Sequence, residues 1–201
     1  SKKTESRIVP DQLMAYIKAA YAPFQAAAQT GSPEAAFAAF SKFRVLCAHR
    51  SGGLSVESIH AQLEPKKEWK VGRPIIIRSN NYGLRLFNGD IGICLANQEG
   101  ELSVFFETVP GQYRQISPGR LPHYEPAWAM TVHQSQGSEF DNVLFVLPSE
   151  ITQVLDRSLI YTAITRAKKD VLLCGLDKVI QAALQRLPEP SSGLAGRLGI
   201  H

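Results

Sequence analysis

Two segments of this sequence concentrate side chains that could do chemistry. The first runs Thr131-Val132-His133-Gln134-Ser135-Gln136-Gly137-Ser138-Glu139-Phe140-Asp141. An apolar run ends in hydroxyl, imidazole and amide groups, all able to hydrogen-bond a polar ligand. A glycine follows, where backbone can approach a ligand closely, and then a carboxylate. Any one of these residues fits an ordinary strand-to-helix turn; eleven in this order make a candidate site. The second segment runs Tyr161-Thr162-Ala163-Ile164-Thr165-Arg166-Ala167-Lys168. Leu159, Ile160, Ala163, Ile164 and Ala167 recur at helical spacing and predict a buried stripe, which leaves Tyr161, Thr162, Thr165 and Arg166 on the other face. A guanidinium on a rigid helix can reach across a cleft to a phosphate, a role its fixed charge and forked donors suit. The plain alternative is a solvated arginine paired with an acid.

The elements that must position these segments follow an α/β grammar. After residue 126, apolar runs at 128–132, 143–147 and 171–174 predict strands. A short helical turn at 133–137 and helices over about 156–168 and 177–187 separate them. Unbroken apolar strands alternating with helices predict a parallel sheet covered on both faces. Ligands in such sheets sit beyond the carboxyl ends of the strands. Upstream, the Ala-rich residues 10–41 read as helical, with Ser32-Pro33-Glu34 as a helix start. Residues 44–48 read as a strand and 56–63 as a helix. From 72 to 122 the grammar changes. Turn signals recur about every ten residues, at Asn80-Asn81, Asn88-Gly89-Asp90, Glu99-Gly100, Pro110-Gly111 and Pro118-Gly119. Strand-like runs at 74–78, 91–95, 102–107 and 113–117 lie between them, which predicts a small all-β barrel or sandwich. The tail from Pro188 onward reads as loose, with Leu194 and Leu198 able to dock.

Composition narrows the classes. The chain has 201 residues, 44% hydrophobic and 20% charged, which suits a folded domain and excludes general disorder. No apolar run approaches a membrane span, so no membrane association is expected. No basic-then-apolar leader opens the chain. The three cysteines, Cys47, Cys94 and Cys174, are odd in number, lack CxxC spacing and sit in apolar runs. Buried free thiols in a reducing, cytoplasmic setting are the expectation. No cluster offers the four ligands of a structural zinc site, and His133 has no partner at metal spacing, so no metal site is expected. The net charge is +4, and its excess lies in residues 1–70, with ten Lys/Arg against six Asp/Glu. That balance permits a polyanionic partner without requiring one.

In order, Leu86-Phe87-Asn88-Gly89-Asp90-Ile91-Gly92, then 128–141, then 161–167 resemble a β insert followed by motifs V and VI of superfamily-one helicases. From about residue 5 to 199 the chain is similar to the C-terminal part of the RecD family, the exodeoxyribonuclease V alpha subunits of RecBCD complexes. The resemblance implies a RecA-like parallel-sheet motor domain interrupted by a small SH3-like insert. Residues 1–71 would be a helical lead-in and first βα unit, with motif IV at 44–52. Residues 72–122 would be the insert, and 123–201 the remainder with motifs V and VI. It also implies an ATP-dependent 5′-to-3′ DNA helicase acting in recombination and double-strand break repair. Arg166 matches the motif VI arginine finger at the γ-phosphate, while Gly137 and Glu139 match motif V positions beside the nucleotide. Arg50, in the motif IV loop, would meet a phosphate of ATP or DNA. Thr131, His133, Ser135 and Gln136, with Thr162, would contact single-stranded DNA. In the insert, Tyr82, Arg85, Phe87 and Tyr113 could offer stacking and charge to single-stranded bases, although Phe87 and Tyr113 more often fill a barrel core. The family pattern has a lysine where this chain has Gln134.

The 201 residues contain no GxxxxGK[ST] and no adjacent Asp-Glu pair. By the resemblance, ATP and Mg²⁺ belong to the full-length protein, with the main phosphate and metal ligands outside this chain. Single-stranded DNA, and RecB and RecC in a RecBCD assembly, would be the partners, and this region alone would be inert. A second reading is a non-catalytic module that docks DNA or protein through the β insert.

Overall fold

The computed structural model describes residues 7–153 and 155–186. Its elements in chain order are β1 (Arg7–Ile8), α1 (Leu13–Gln29), α2 (Pro33–Phe40), β2 (Phe43–Cys47), α3 (Val56–Leu63), β3 (Pro74–Ile77), β4 (Ile91–Ala96), β5 (Leu102–Val109), β6 (Gln112–Ile116), β7 (Tyr124–Pro126), β8 (Ala129–Thr131), β9 (Phe140–Val146), α4 (Arg157–Thr165), β10 (Ala167–Cys174) and α5 (Asp177–Gln185). Single 3-10 turns cover Pro10–Gln12, Pro118–Arg120 and His133–Ser135. The expectation for Leu194 and Leu198 lies outside the described residues.

The chain divides into two compact units. One gathers residues up to 20, 41–63 and those from 129 onward; the other gathers 21–40 and 64–128.

The first unit is built on a five-stranded sheet in the order β1-β10-β9-β2-β8, every pairing parallel. All five residues of β2 are buried, as expected for a central strand with both faces covered. Its one charged member, Arg44, lies with its guanidinium 4.8 Å from the centre of the Phe140 ring. Leu46, Val143, Phe145 and Leu147 from the strands pack with Leu159, Ile160, Ala163 and Ile164 of α4 and Val179, Ile180 and Ala183 of α5. The apolar stripe read at helical spacing is therefore the buried face of α4. Asp156 caps that helix, its carboxylate accepting from the Leu159 N–H at 2.7 Å. The helix stops at Thr165 rather than continuing to 168. Ala167 instead pairs with Phe140, so strand formation takes over a run whose local pattern reads as helix.

The second unit holds an antiparallel sheet in the order β6-β5-β4-β3-β7. Four of its strands match the four runs between recurring turn signals. The fifth, β7, pairs with β3 on the side away from β4. Ile75, Ile77, Leu86, Cys94, Val104, Phe106 and Ile116 form its core. The turns at Gly89 and Gly111 use φ of +99° and +79°, a region glycine enters without steric cost. Gly92 is required for a different reason: a Cβ there would lie 2.6 Å from Phe106 and Val104 side-chain atoms. Residues 21–40 contribute Tyr21, Phe24 and Phe40, whose rings pack with one another, and Tyr21 and Phe24 pack on Trp128. The Tyr21 hydroxyl donates to the Trp128 carbonyl at 2.6 Å.

Candidate functional site

In a parallel sheet all carboxyl ends share one edge, and β8 delivers Thr131 to it. Thr131 and Val146 both pair with Cys47, so they stand at one level of the sheet. The segment 132–139 then returns to the start of β9, because Phe140 pairs with Ala167 at the opposite edge. Val146 lies six residues after Phe140 on β9, so the return covers about 20 Å at roughly 3.3 Å per residue. The candidate segment thus has two ends, at opposite edges of the sheet, and α4 connects the same two edges.

At the carboxyl edge the backbone folds into the 3-10 turn of His133–Ser135. Thr131 and Gln134 tie it together. The Gln134 side-chain oxygen accepts from the Thr131 N–H at 3.0 Å, and the Thr131 hydroxyl oxygen accepts from the Gln134 N–H at 3.2 Å. Ser135 is fully buried, its hydroxyl donating to the Val132 carbonyl at 2.6 Å, so it holds the turn in shape. His133 and Gln136 are exposed. With Val132 they line an open pocket whose other wall is Asp156, Ser158, Leu159 and Thr162 of the α4 start. Three residues of the expected strand-contact set, His133, Gln136 and Thr162, therefore share one pocket. Asp156 and Ser158 join them unforeseen. The capping signal of Asp156 was available in the sequence; nothing local marks Ser158.

At the amino edge, Gly137 has φ of +84° with open space where a Cβ would stand. The Glu139 carboxylate is mostly exposed, 3.9 Å from the Lys168 ammonium. Arg166 is the residue after α4, its N–H still bonded to the Ala163 carbonyl. Its guanidinium turns back on the same segment: Nη1 donates to the Ser138 carbonyl at 3.1 Å and Nη2 to the Thr165 hydroxyl at 3.4 Å. Arg166 Nε is buried and has no partner among the described residues. Gly137, Glu139 and Arg166 are thus neighbours, away from the carboxyl edge where spacing alone had put the whole cluster.

Arg50 follows β2 at the carboxyl edge, on the side of Thr131, with Nε 3.5 Å from Glu57 Oε1. The two segments meant for phosphate contact are therefore not one cluster. The three thiols are buried; burial pushes Cys94 up to about 11 and Cys174 up to about 12, and raises Cys47 as well. Among the described residues no group of three His, Cys, Asp or Glu could hold a metal ion, and no helix is long and apolar enough to cross a membrane.

The family model of the UvrD-like helicase C-terminal domain matches residues 126–174. A Bacteroides Pif1 helicase, solved in complex with ADP-AlF3 and ssDNA, superposes with a TM-score of 0.50 at 14% identity, covering 92% of this chain and 52% of that one. That similarity establishes the fold. In sequence, the chain is 40% identical over 182 residues to the RecBCD enzyme subunit RecD of Mycolicibacterium smegmatis, covering 86% of this chain and 32% of that protein. It is 36% identical over 167 residues to RecD of Haemophilus influenzae, covering 77% and 25%. The ATP-dependent RecD2 DNA helicase of Deinococcus radiodurans matches at 29% over 171 residues, covering 79% and 24%. The chain belongs to the RecD family and is a RecD-type helicase C-terminal region. It spans about a quarter to a third of the length of these relatives.

Proposed function

We propose that this region is the second motor domain of an ATP-dependent 5′-to-3′ DNA helicase, contributing half of a catalytic cleft. The observation that carries the reading is the two-ended return segment. One end presents His133 and Gln136 beside Thr162, and the other is bonded through the Ser138 carbonyl to Arg166. The donor set at the amino edge suits a nucleotide. Arg166 is a cation whose buried Nε has no partner among the described residues, and Gly137, next to the Ser138 that Arg166 contacts, has open space where a Cβ would stand. ATP when bound supplies the hydrolysable γ-phosphate, between this domain and a RecA-like partner domain carrying the Walker groups and Mg²⁺ ligands. Arg166 would leave Ser138 and donate to that phosphate, and Glu139 would accept from a ribose hydroxyl. His133, Gln136 and Thr162 would donate to backbone phosphates of single-stranded DNA, contacts that position without reading sequence. Thr131 and Ser135 would hold their turn, and Arg50 would meet a DNA phosphate at the same edge. Because one segment joins both ends, movement of Arg166 toward phosphate pulls on the turn that grips DNA.

The antiparallel unit is, in this reading, the SH3-like insert, and RecB and RecC are the partners in a RecBCD assembly in the cytoplasm. The test is unwinding by the full-length protein of duplexes with either a 5′ or a 3′ single-stranded tail. The reading requires ATP-dependent unwinding of the 5′-tailed substrate; preference for the 3′ tail, or none, would overturn the polarity. Absence of ATP turnover would favour the docking-module alternative.

A further inference from the structure

The loop between β3 and β4 carries a surface that the motor reading leaves unused. Tyr82 is 76% exposed and Phe87 is 45% exposed, with ring centres 6.0 Å apart at 75°. Phe87, which the sequence pattern assigns to the core, points outward because its neighbour Leu86 takes the core position at 2% exposure. Tyr113, its expected companion, packs instead on Phe37 at 5.4 Å. The two rings are held out by a rigid frame. Asn81 and Leu86 exchange both backbone hydrogen bonds, at 2.7 and 3.0 Å, and the Asn81 side chain accepts from the Leu84 N–H at 3.0 Å. Asp90 accepts from the Phe87 N–H at 2.8 Å, and Asn80 accepts from the Asn88 N–H at 2.8 Å. Arg114 reaches the Leu84 carbonyl from beneath. Arg85, exposed and between Tyr82 and Phe87 in sequence, sits at φ +50°, a left-handed conformation costly for a residue with a side chain. Strain of that kind persists only where surroundings enforce it, and it clusters at ligand sites. The loop's carboxylate, Asp90, is turned onto backbone, which leaves Arg85 as the outward charge.

Two exposed rings set at 75° on an ordered loop that also carries one exposed arginine fit flat π-faces joined by an anionic backbone. We propose that Tyr82, Phe87 and Arg85 form a stacking platform for single-stranded nucleic acid, separate from the contacts of the return segment; the inference rests on the helicase reading above. Tyr82 and Phe87 each offer one ring face to a base, and Arg85 meets the adjoining phosphate. Such stacking is sequence-tolerant, because every base has a π-face. Order in the free loop also lowers the entropy lost on binding.

The test uses the full-length protein and a fluorescein-labelled oligothymidylate without nucleotide. Tyr82→Ala alone should weaken binding about 5- to 150-fold, the range expected for losing one stacked base, and Tyr82→Ala combined with Phe87→Ala should weaken it further. Tyr82→Trp should retain affinity, and its added emission should be quenched on binding. Both side chains are exposed, so folding is preserved, and an unchanged melting curve checks this. Unchanged affinity together with unquenched emission overturns the platform while leaving the motor reading intact, provided ATP turnover is still stimulated by the oligonucleotide. Loss of that stimulation in the wild-type protein overturns the motor reading instead.

Discussion

Replacing Glu64 tests the energetics most sharply, because three groups depend on its carboxylate. Oε2 accepts from Arg73 Nε at 2.9 Å and lies 2.9 Å from Arg73 Nη2. Oε1 accepts from the Trp128 indole N–H at 2.8 Å. Both charged side chains are 3% exposed. The Arg73 guanidinium lies 4.6 Å from the centre of the Trp69 ring and 5.8 Å from that of Tyr124, and its buried Nη1 already has no partner among the described residues. Glu64→Ala leaves that cation uncompensated in a dry site, which costs about 3–5 kcal/mol. The orphaned indole N–H adds about 1–3 kcal/mol. At about 2–4 °C per kcal/mol for a chain of this size, the melting temperature should fall by at least about 8 °C. The compensating pair Glu64→Leu with Arg73→Met removes both charges and should recover most of this, leaving about the 1–3 kcal/mol of the indole N–H. Urea titrations followed by circular dichroism and by tryptophan emission measure each value, and Trp128 reports directly on the site. A Glu64→Ala loss under about 1 kcal/mol, or a double variant no better than the single one, would refute the reasoning.

Other outcomes follow from the same geometry. Gly92→Ala places a methyl group against Phe106 and Val104 in the core of the antiparallel unit and should cost about 1–3 kcal/mol by urea titration, whereas Gly100→Ala, with open space at its Cβ, meets only its backbone strain. Asp156→Ala removes the cap of α4 and should cost about 1 kcal/mol, restored by Asp156→Ser. The three thiols should resist iodoacetamide at pH 7 to 8 in the native protein and react on unfolding. Burial disfavours the thiolate, so reactivity appears only as pH rises toward about 11 at Cys94 and about 12 at Cys174. Mass spectrometry with and without urea reads the labelling.

Much of this architecture was legible because its signals are local. Unbroken apolar runs gave β2, β9 and β10, and Asn88-Gly89 and Pro110-Gly111 bracket the antiparallel strands where glycine turns are needed. The buried stripe of α4 was visible in Leu159, Ile160, Ala163 and Ile164. What was not legible depends on pairing between distant residues. Strand β7 is three residues ending in proline and exists because β3 offers it an edge. The end of α4 is set by Ala167 meeting Phe140, not by any helix stop signal. Glu64, Arg73 and Trp128 converge across 64 residues of sequence, and no short motif announces such a triad. The run of polar groups at 131–141 was legible in the sequence, yet linear spacing could not say that the run crosses the sheet. For that reason Thr131 and Glu139, eight positions apart, stand at opposite edges. Ser135 looked like a ligand group and is instead a buried brace of the turn.

The most direct measurement of the central claim is single-strand-stimulated ATP turnover by the full-length protein with Arg166→Ala and with Arg166→Lys. The account predicts a fall of about 10³–10⁵ for Arg166→Ala, only slight recovery by lysine, and retained affinity for single-stranded DNA. Turnover within about tenfold of the wild-type value would contradict the assignment of Arg166 to the γ-phosphate and the coupling built on it.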